Sequence, residues 1–290
     1  MKHSFGGDWT SEKINKVEKY LVEYTKILSK QKFRFAYIDA FAGTGYRTVE
    51  NGKTDTDFLF PELLEKETQS FIDGSVKIAL KIEPHFHKYF FIEKDPRKVL
   101  ILEKLRDEHP LLKNEIAIIN QDANTFLQDI CINRKWDSNR AVLFLDPYGM
   151  QVTWDTIKAI AKTEAIDLWL LFPLGVAVNR LLKKNGKIVT SVRKRLNDMF
   201  GTEDWYDSFY QIYSAQTLFG EESGVRKTTN FDSIGKYFVS RLKEIFPGVA
   251  EKPLSLMNSK NNPLYLLCFA SANPRGAKTA VKIANYILKH

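Results

Sequence analysis

The chain has 290 residues, 44% of them hydrophobic and 13% aromatic, enough for one large domain or a domain with an insertion and too apolar for a disordered chain. Lysine and arginine number 43 against 35 acids, a formal charge of +8, which favours polyanionic partners such as nucleic acid without requiring one. The two cysteines, Cys131 and Cys268, do not indicate a disulfide framework and fit a reducing cytoplasm; the first seven residues lack the apolar run of a secretion signal, and no stretch is apolar for long enough to cross a bilayer.

Trp9 to Lys30 is predicted helical, because Ile14, Val17, Leu21, Tyr24 and Leu28 recur at helical spacing and Thr10 or Ser11 can cap it. Phe33 to Ala40 reads as a strand ending at Asp39, and a loop with Gly43 and Gly45 follows at once. Arg47 to Asp73 is polar apart from Phe58, Leu59 and Phe60, and reads as an insertion or lid. Val76 to Lys81 is a short helix, Lys88 to Glu93 a strand ending in an acid, and Pro96 to Glu108 a helix. Ile116 to Asn120 is a strand followed by Asp122, and Ala123 to Ile130 is helical. Ala141 to Asp146 and Asp167 to Phe172 are apolar runs of the kind buried on both faces of a parallel sheet, with a helix from Thr153 to Ala161 between them.

Strands alternating with helices predict a parallel α/β sheet with helices on both faces. Beyond Pro173 the pattern turns mostly helical and charged until Leu264 to Ala270, a last strand, and Gly276 to Leu288, a closing helix. The division expected is a core of residues 1–185 plus 262–290, with 186–261 as a helical insertion that contacts nucleic acid or a partner.

Three strand ends carry the chemistry. A turn as tight as Asp39-Ala40-Phe41-Ala42-Gly43-Thr44-Gly45 needs glycine where backbone approaches a ligand, and it lies at the carboxyl edge, where open α/β sheets bind ligands. It lacks both the Gly-Lys-Ser/Thr of a phosphate loop and the third glycine of a dinucleotide fingerprint. Asp39 can accept from the cationic amino group of a methionyl moiety. Glu93 can accept both hydroxyls of a ribose, and Asp122 the amino group of adenine. The set Asp39, Phe41, Ala42, Gly43, Gly45, Glu93 and Asp122 therefore predicts an S-adenosylmethionine (SAM) site. A helix cap is the alternative for each of the last two acids.

Asp146-Pro147-Tyr148-Gly149 closes the fourth strand. It resembles the Asp/Asn-Pro-Pro-Tyr/Phe signature of amino-directed methyltransferases. In that signature a carboxylate and a proline carbonyl accept the two N–H bonds of a weakly nucleophilic amine, and the ring stacks on the target base. Asp146, Pro147 and Tyr148 are the catalytic candidates, although Gly149 stands where an aromatic follows a second proline in the signature; a plain turn is the alternative. Phe172-Pro173 reads first as strand termination and second as a pocket wall.

From Arg180 to Arg195 stand seven cations and no acid: Arg180, Lys183, Lys184, Lys187, Arg193, Lys194 and Arg195. A tract of one sign reads as a phosphate-contacting surface, with a solvated basic face as the alternative. Trp205, Phe209 and Tyr213 fall at helical spacing and predict a core-facing stripe, with base stacking second. His85 and His87 lack further ligands nearby, so no metal is expected.

Taken together, Phe5-Gly6-Gly7-Asp8-Trp9-Thr10 with Lys13, Tyr37 to Gly45, Phe91 to Asp95, Phe144 to Gly149 and Pro263 to Ser271 are similar to the three-Cys-motif partner proteins (TcmP). The resemblance runs from Phe5 to about Ala284. It implies a Rossmann-like class I methyltransferase core, a winged-helix-like region toward the C-terminus, and a protein partner bearing a three-cysteine motif. The expectation is a SAM-dependent methyltransferase acting on a base nitrogen of DNA or RNA. A non-catalytic nucleic-acid- or partner-binding protein on the same fold is the alternative, and a methyltransferase of proteins or small molecules is a third.

Overall fold

A computed structural model describes residues 9–43, 74–217 and 220–290. Thr44, Gly45, the stretch from Arg47 to Asp73 and the motif from Phe5 to Asp8 lie outside the described residues.

The chain builds one eight-stranded sheet in the order β3-β2-β1-β4-β5-β10-β8, with β9 also on β10. The strands are β1 (Arg34–Asp39), β2 (Lys88–Ile92), β3 (Ile116–Ile119), β4 (Asn139–Leu145), β5 (Ile166–Phe172), β8 (Gly248–Val249), β9 (Leu254–Met257) and β10 (Pro263–Ser271). The first five run parallel, in the doubly wound order 3-2-1-4-5, and β10 lies antiparallel beside β5. This is a mixed α/β fold with a mostly parallel central sheet and helices on both faces. The register places Asp39 beside Phe91 of β2 and Phe144 of β4, so the ends of these three strands share one carboxyl edge.

Each strand's alternation feeds two cores. On one face Tyr37, Phe144, Trp169 and Phe269 pack under α1 (Trp9–Leu28), α2 (Ser75–Lys81), α3 (Pro96–Asp107) and α9 (Ala277–Lys289). On the other face Ile38, Leu143, Leu168 and Leu170 pack against α4 (Ala123–Asn133), α5 (Trp154–Lys162), α6 (Thr190–Phe200) and α8 (Phe231–Lys243). Aromatic area dominates this second core: Phe172 stacks on Phe238 with centroids 4.1 Å apart, and Phe200 and Trp205 join them. Phe172 is thus a core residue, not a pocket wall.

At the amino edge Tyr20 Oη donates to Asp167 Oδ2 at 2.6 Å and Ser271 Oγ to Asp167 Oδ1 at 2.5 Å. One buried carboxylate therefore ties α1, β5 and β10 together, and burial pushes its pKa up to about 6.

The predicted helical stripe of Trp205, Phe209 and Tyr213 breaks in the middle. Trp205 and Phe209 belong to α7 (Trp205–Phe209) and are buried, but Tyr210 turns extended and starts a hairpin, β6 (Tyr210–Thr217) with β7 (Gly220–Lys227). Tyr-Gln-Ile-Tyr carries aromatic and β-branched groups at period 2, and the strand preference overrides the accidental helical spacing. Residues 186–261 hence hold strands as well as helices, and β8 and β9 belong to the main sheet.

Gly201 ends α6 at φ +70 with Trp154 Cδ1 only 2.0 Å from where a Cβ would stand. Gly201→Ala is expected to lower stability by about 2 kcal/mol or more, from left-handed strain plus displacement of a buried indole. Urea denaturation with an unchanged m-value would show it.

Candidate functional site

The loop after β1 is pinned to both neighbouring strands. Ala40 N–H donates to the Phe144 carbonyl at 3.2 Å and Ala42 N–H to the Ile92 carbonyl at 3.0 Å. This carries Gly43 directly against Glu93: a Cβ on residue 43 would stand 2.6 Å from Glu93 Oε2 and 2.9 Å from Lys98 Cβ. Only glycine allows this approach. The predicted cradle residues Phe41, Ala42 and Gly43 and the acid Glu93 are therefore brought together.

Glu93 is 6% exposed. Its Oε1 accepts from Asp95 N–H at 2.7 Å, while Oε2 is buried with no hydrogen-bond partner among the described residues. A buried acceptor left without a donor costs free energy unless a ligand or water satisfies it. Oε2 lies on the Gly43 side, where a hydroxyl-bearing ligand would satisfy it. Asn120 Nδ2 donates to the carbonyls of Glu93 and Lys94, both at 3.0 Å, and fixes the strand end.

Asp39 is fully buried. Ser75 Oγ donates to its Oδ2 at 2.6 Å and Phe41 N–H to its Oδ1 at 3.2 Å. Burial still dominates these bonds and pushes its pKa up to about 7, with the Asp146 carboxylate raising it and Lys13 lowering it.

Asp146, at the end of β4, is 6% exposed, and its Oδ2 takes the Lys13 ammonium at 2.7 Å. Lys13 is itself 2% exposed and stands 4.8 Å from the centroid of the Trp9 ring. Burial raises the Asp146 pKa, and the ion pair opposes that. Pro147 is buried, Tyr148 is half-buried, and Tyr148 N–H donates to Gln151 Oε1 at 3.0 Å. Gly149 at φ +64 closes the turn in the left-handed region.

Asp39, Asp146, Lys13 and Ser75 form one buried cluster in which the Lys13 ammonium pairs with Asp146 and Ser75 bonds Asp39. Lys13 and Ser75 were not singled out as site residues from the sequence. Lys13 carried a readable signal: it falls four residues after Trp9 and seven before Tyr20, on the core-facing stripe of α1.

Asp122 does what a cap does. Its Oδ1 accepts from Thr125 N–H at 3.2 Å, at the N-terminus of α4 on the neighbouring strand end. His87 Nδ1 accepts from Phe35 N–H at 3.3 Å, and among the described residues no cluster of His, Cys, Asp or Glu could hold a metal. Cys131 and Cys268 are separate buried thiols, with Cys131 pushed up to about 12 by burial. No helix among the described residues is long and apolar enough to cross a membrane.

In the basic tract, Lys183, Lys184, Lys187, Lys194 and Arg195 are exposed and Arg180 is half-buried. Arg193 stands 4.7 Å from the Tyr206 ring centroid and 3.5 Å from Glu203 Oε2. The tract follows the wide helical turn Leu174–Asn179 that leaves β5 at the same carboxyl edge as the buried cluster.

No family model and no curated protein matches the chain in sequence. Several solved structures are similar to it. The crystal structure of LPL1258 from Legionella pneumophila, of the DUF519 family, has a TM-score of 0.45 at 12% identity, covering 98% of this chain and 92% of that one. The inferred methyltransferase yhhF from Escherichia coli has a TM-score of 0.29 at 12% identity, over 73% of this chain and 87% of its own. The inferred methylase HI0767 from Haemophilus influenzae has a TM-score of 0.30 at 14% identity, over 75% and 99%.

Proposed function

We propose that the chain is a SAM-dependent methyltransferase acting on a base nitrogen of DNA or RNA, of the kind its TcmP resemblance implies. The observation that carries the cofactor is Glu93: a buried carboxylate oxygen without a donor among the described residues, facing a glycine whose replacement by a larger residue would displace it. The residues present fit SAM. Glu93 Oε2 would accept from the ribose hydroxyls, the backbone from Phe41 to Gly43 would line the methionyl part, and Asp39 would face the α-ammonium. Asp122 keeps its second oxygen for the adenine amino group while Oδ1 caps α4. When bound, SAM supplies an electrophilic methyl group on a sulfonium.

The chain's own residues then act on the acceptor. Oδ2 of Asp146 holds Lys13, so Oδ1 is the oxygen for one acceptor N–H, and the carbonyl of Pro147 takes the other. Held by these two acceptors, the amine would be drawn toward a tetrahedral nitrogen with its lone pair freed for the methyl group, and its proton would pass to solvent. Tyr148 would stack on the base. A duplex substrate would have its base turned out to reach this strand end. The basic tract from Arg180 to Arg195, within and beside residues 186–261, would take the phosphates.

The experiment is incubation with methyl-labelled SAM and DNA, RNA and protein in separate tubes, beside calorimetry with SAM. Label in DNA or RNA supports the reading, and label only in protein overturns its substrate. Gly43→Ala is expected to weaken SAM at least tenfold with the fold kept, because the new methyl displaces Glu93. Wild-type protein that does not bind SAM would overturn the cofactor. The Lys13 ammonium on Asp146 favours one second reading, a nucleic-acid- or partner-binding protein that retains the fold without catalysis. Retained SAM and nucleic-acid binding with no transfer would select it.

A further inference from the structure

β6 and β7 pair only with each other among the described residues, and a lone two-stranded ribbon is marginal in water. This ribbon is fastened at its base to the basic tract. Tyr210 Oη donates to the Lys183 carbonyl at 3.0 Å, and Tyr206 Oη to the Gly186 carbonyl at 3.1 Å. Lys227 N–H donates to the Lys184 carbonyl at 2.8 Å, and its ammonium to Asn179 Oδ1 at 2.6 Å. Gly186, at φ +68, lies so close to Val225 that a Cβ would meet its Cγ1 at 2.7 Å. The ribbon thus takes up the carbonyls of this segment. The side chains of Lys183, Lys184 and Lys187 stay exposed, with no carboxylate partner among the described residues.

Strand alternation divides the ribbon into two faces. Tyr210, Ile212, Val225 and Lys227 share the face that meets the tract. Gln211 lies opposite Arg226 and Tyr213 opposite Gly224, and these four share the other face. The Tyr213 ring lies across Gly224: a Cβ there would meet Cε1, Oη and Cζ of the ring at 3.0, 3.0 and 3.1 Å. The Arg226 guanidinium is 6.0 Å from the ring centroid, and Gln211 and Arg226 are exposed. A half-exposed aromatic ring laid on glycine, flanked by a guanidinium and an amide and backed by unpaired lysines, is chemistry for a base and its phosphates.

We propose that this ribbon face docks an unpaired polynucleotide strand, with a base on Tyr213 and a phosphate on Arg226. A duplex fits less well. Its bases are already stacked on one another and turned inward, whereas the Tyr213 ring offers its open face to a base that has no neighbour to stack on. The proposal rests on the nucleic-acid part of the reading above and is independent of methyl transfer.

The test is fluorescence anisotropy without SAM, using a short mixed-sequence single strand of DNA, the same sequence as RNA, and the duplex. Wild-type protein should bind at least one single strand more tightly than the duplex. Tyr213→Ala should weaken that binding roughly tenfold with the salt dependence unchanged, as loss of stacking does. Arg226→Gln should lower the salt slope by about one, as loss of a phosphate contact does. Gly224→Val, which pushes the ring off the strand, should act like Tyr213→Ala. Circular dichroism matching wild type shows that the ribbon variants are folded. Absence of single-strand binding by wild type, tighter duplex binding, or unchanged binding by Tyr213→Ala overturns the proposal. Strand binding with no methyl transfer leaves it standing and removes only the catalytic reading.

Discussion

Replacing Lys13 with methionine is expected to cost the folded protein about 3–5 kcal/mol near neutral pH. Methionine fills nearly the volume of the lysine stem, so the packing of Trp9 and α1 is largely kept. The loss is electrostatic. Asp146 would remain buried without its 2.7 Å partner, beside a second buried carboxylate at Asp39. The folded protein relieves such a charge by taking up a proton, so the cost should shrink toward acid pH, where Asp146 is neutral in both states. Pairing Lys13→Met with Asp146→Asn should recover most of the lost stability, because neither charge then remains. Urea denaturation of the four proteins at two pH values measures the coupling. A single-variant loss below about 1 kcal/mol would mean that water reaches the pair and that the cluster is not a closed electrostatic unit.

The sheet was readable because a parallel strand buried on both faces has little freedom of composition. Ala141 to Leu145 and Leu168 to Phe172 are uninterrupted apolar runs, and each lies in the sheet with every residue buried. The strand-end acids were readable for a related reason. An ionisable group directly after such a run must leave the core, be paired, or serve a ligand, and Asp39, Glu93 and Asp146 stand at the same carboxyl edge. Asp122 shows the limit of position as a signal, since a helix cap and a ligand acid occupy the same place after a strand. The hairpin was hidden by coincidence. Trp205, Phe209 and Tyr213 keep helical spacing across a real helix end, and only the period-2 run from Tyr210 marks the change. Lys13 lies on the core-facing stripe of α1, a signal outweighed by its type, since lysine on a helix is read as solvated and its partner lies 133 residues away.

The affinity for SAM should rise about tenfold between pH 6 and pH 8. The cause is Asp39, whose pKa burial pushes up to about 7. Only the ionised carboxylate attracts an ammonium, so binding at pH 6 must first remove a proton that is already gone at pH 8. The rise ends where the ligand's own α-amino group starts to lose its proton, which gives a bell rather than a plateau. Asp39→Asn should bind weakly and show no such rise.

Stability without ligand runs the other way. The folded pKa of Asp39 lies above its unfolded value, so the folded state holds the proton more tightly. Its contribution is present in full below pH 4 and is lost as pH climbs through 7, by up to ~4 kcal/mol. At pH 8 Asp39→Asn should therefore melt above wild type, by less than that limit because asparagine offers one acceptor for the two donors Ser75 and Phe41. Saturating SAM should reverse the order by stabilising wild type alone. A buried acid that weakens the empty fold and strengthens the occupied one is what a binding group looks like in a melting curve. A purely structural acid would be destabilising to remove at every pH, with or without SAM. Thermal melts of both proteins at pH 6 and pH 8, with and without SAM, separate these outcomes, and an Asp39→Asn that melts below wild type in all four conditions would assign Asp39 to the scaffold.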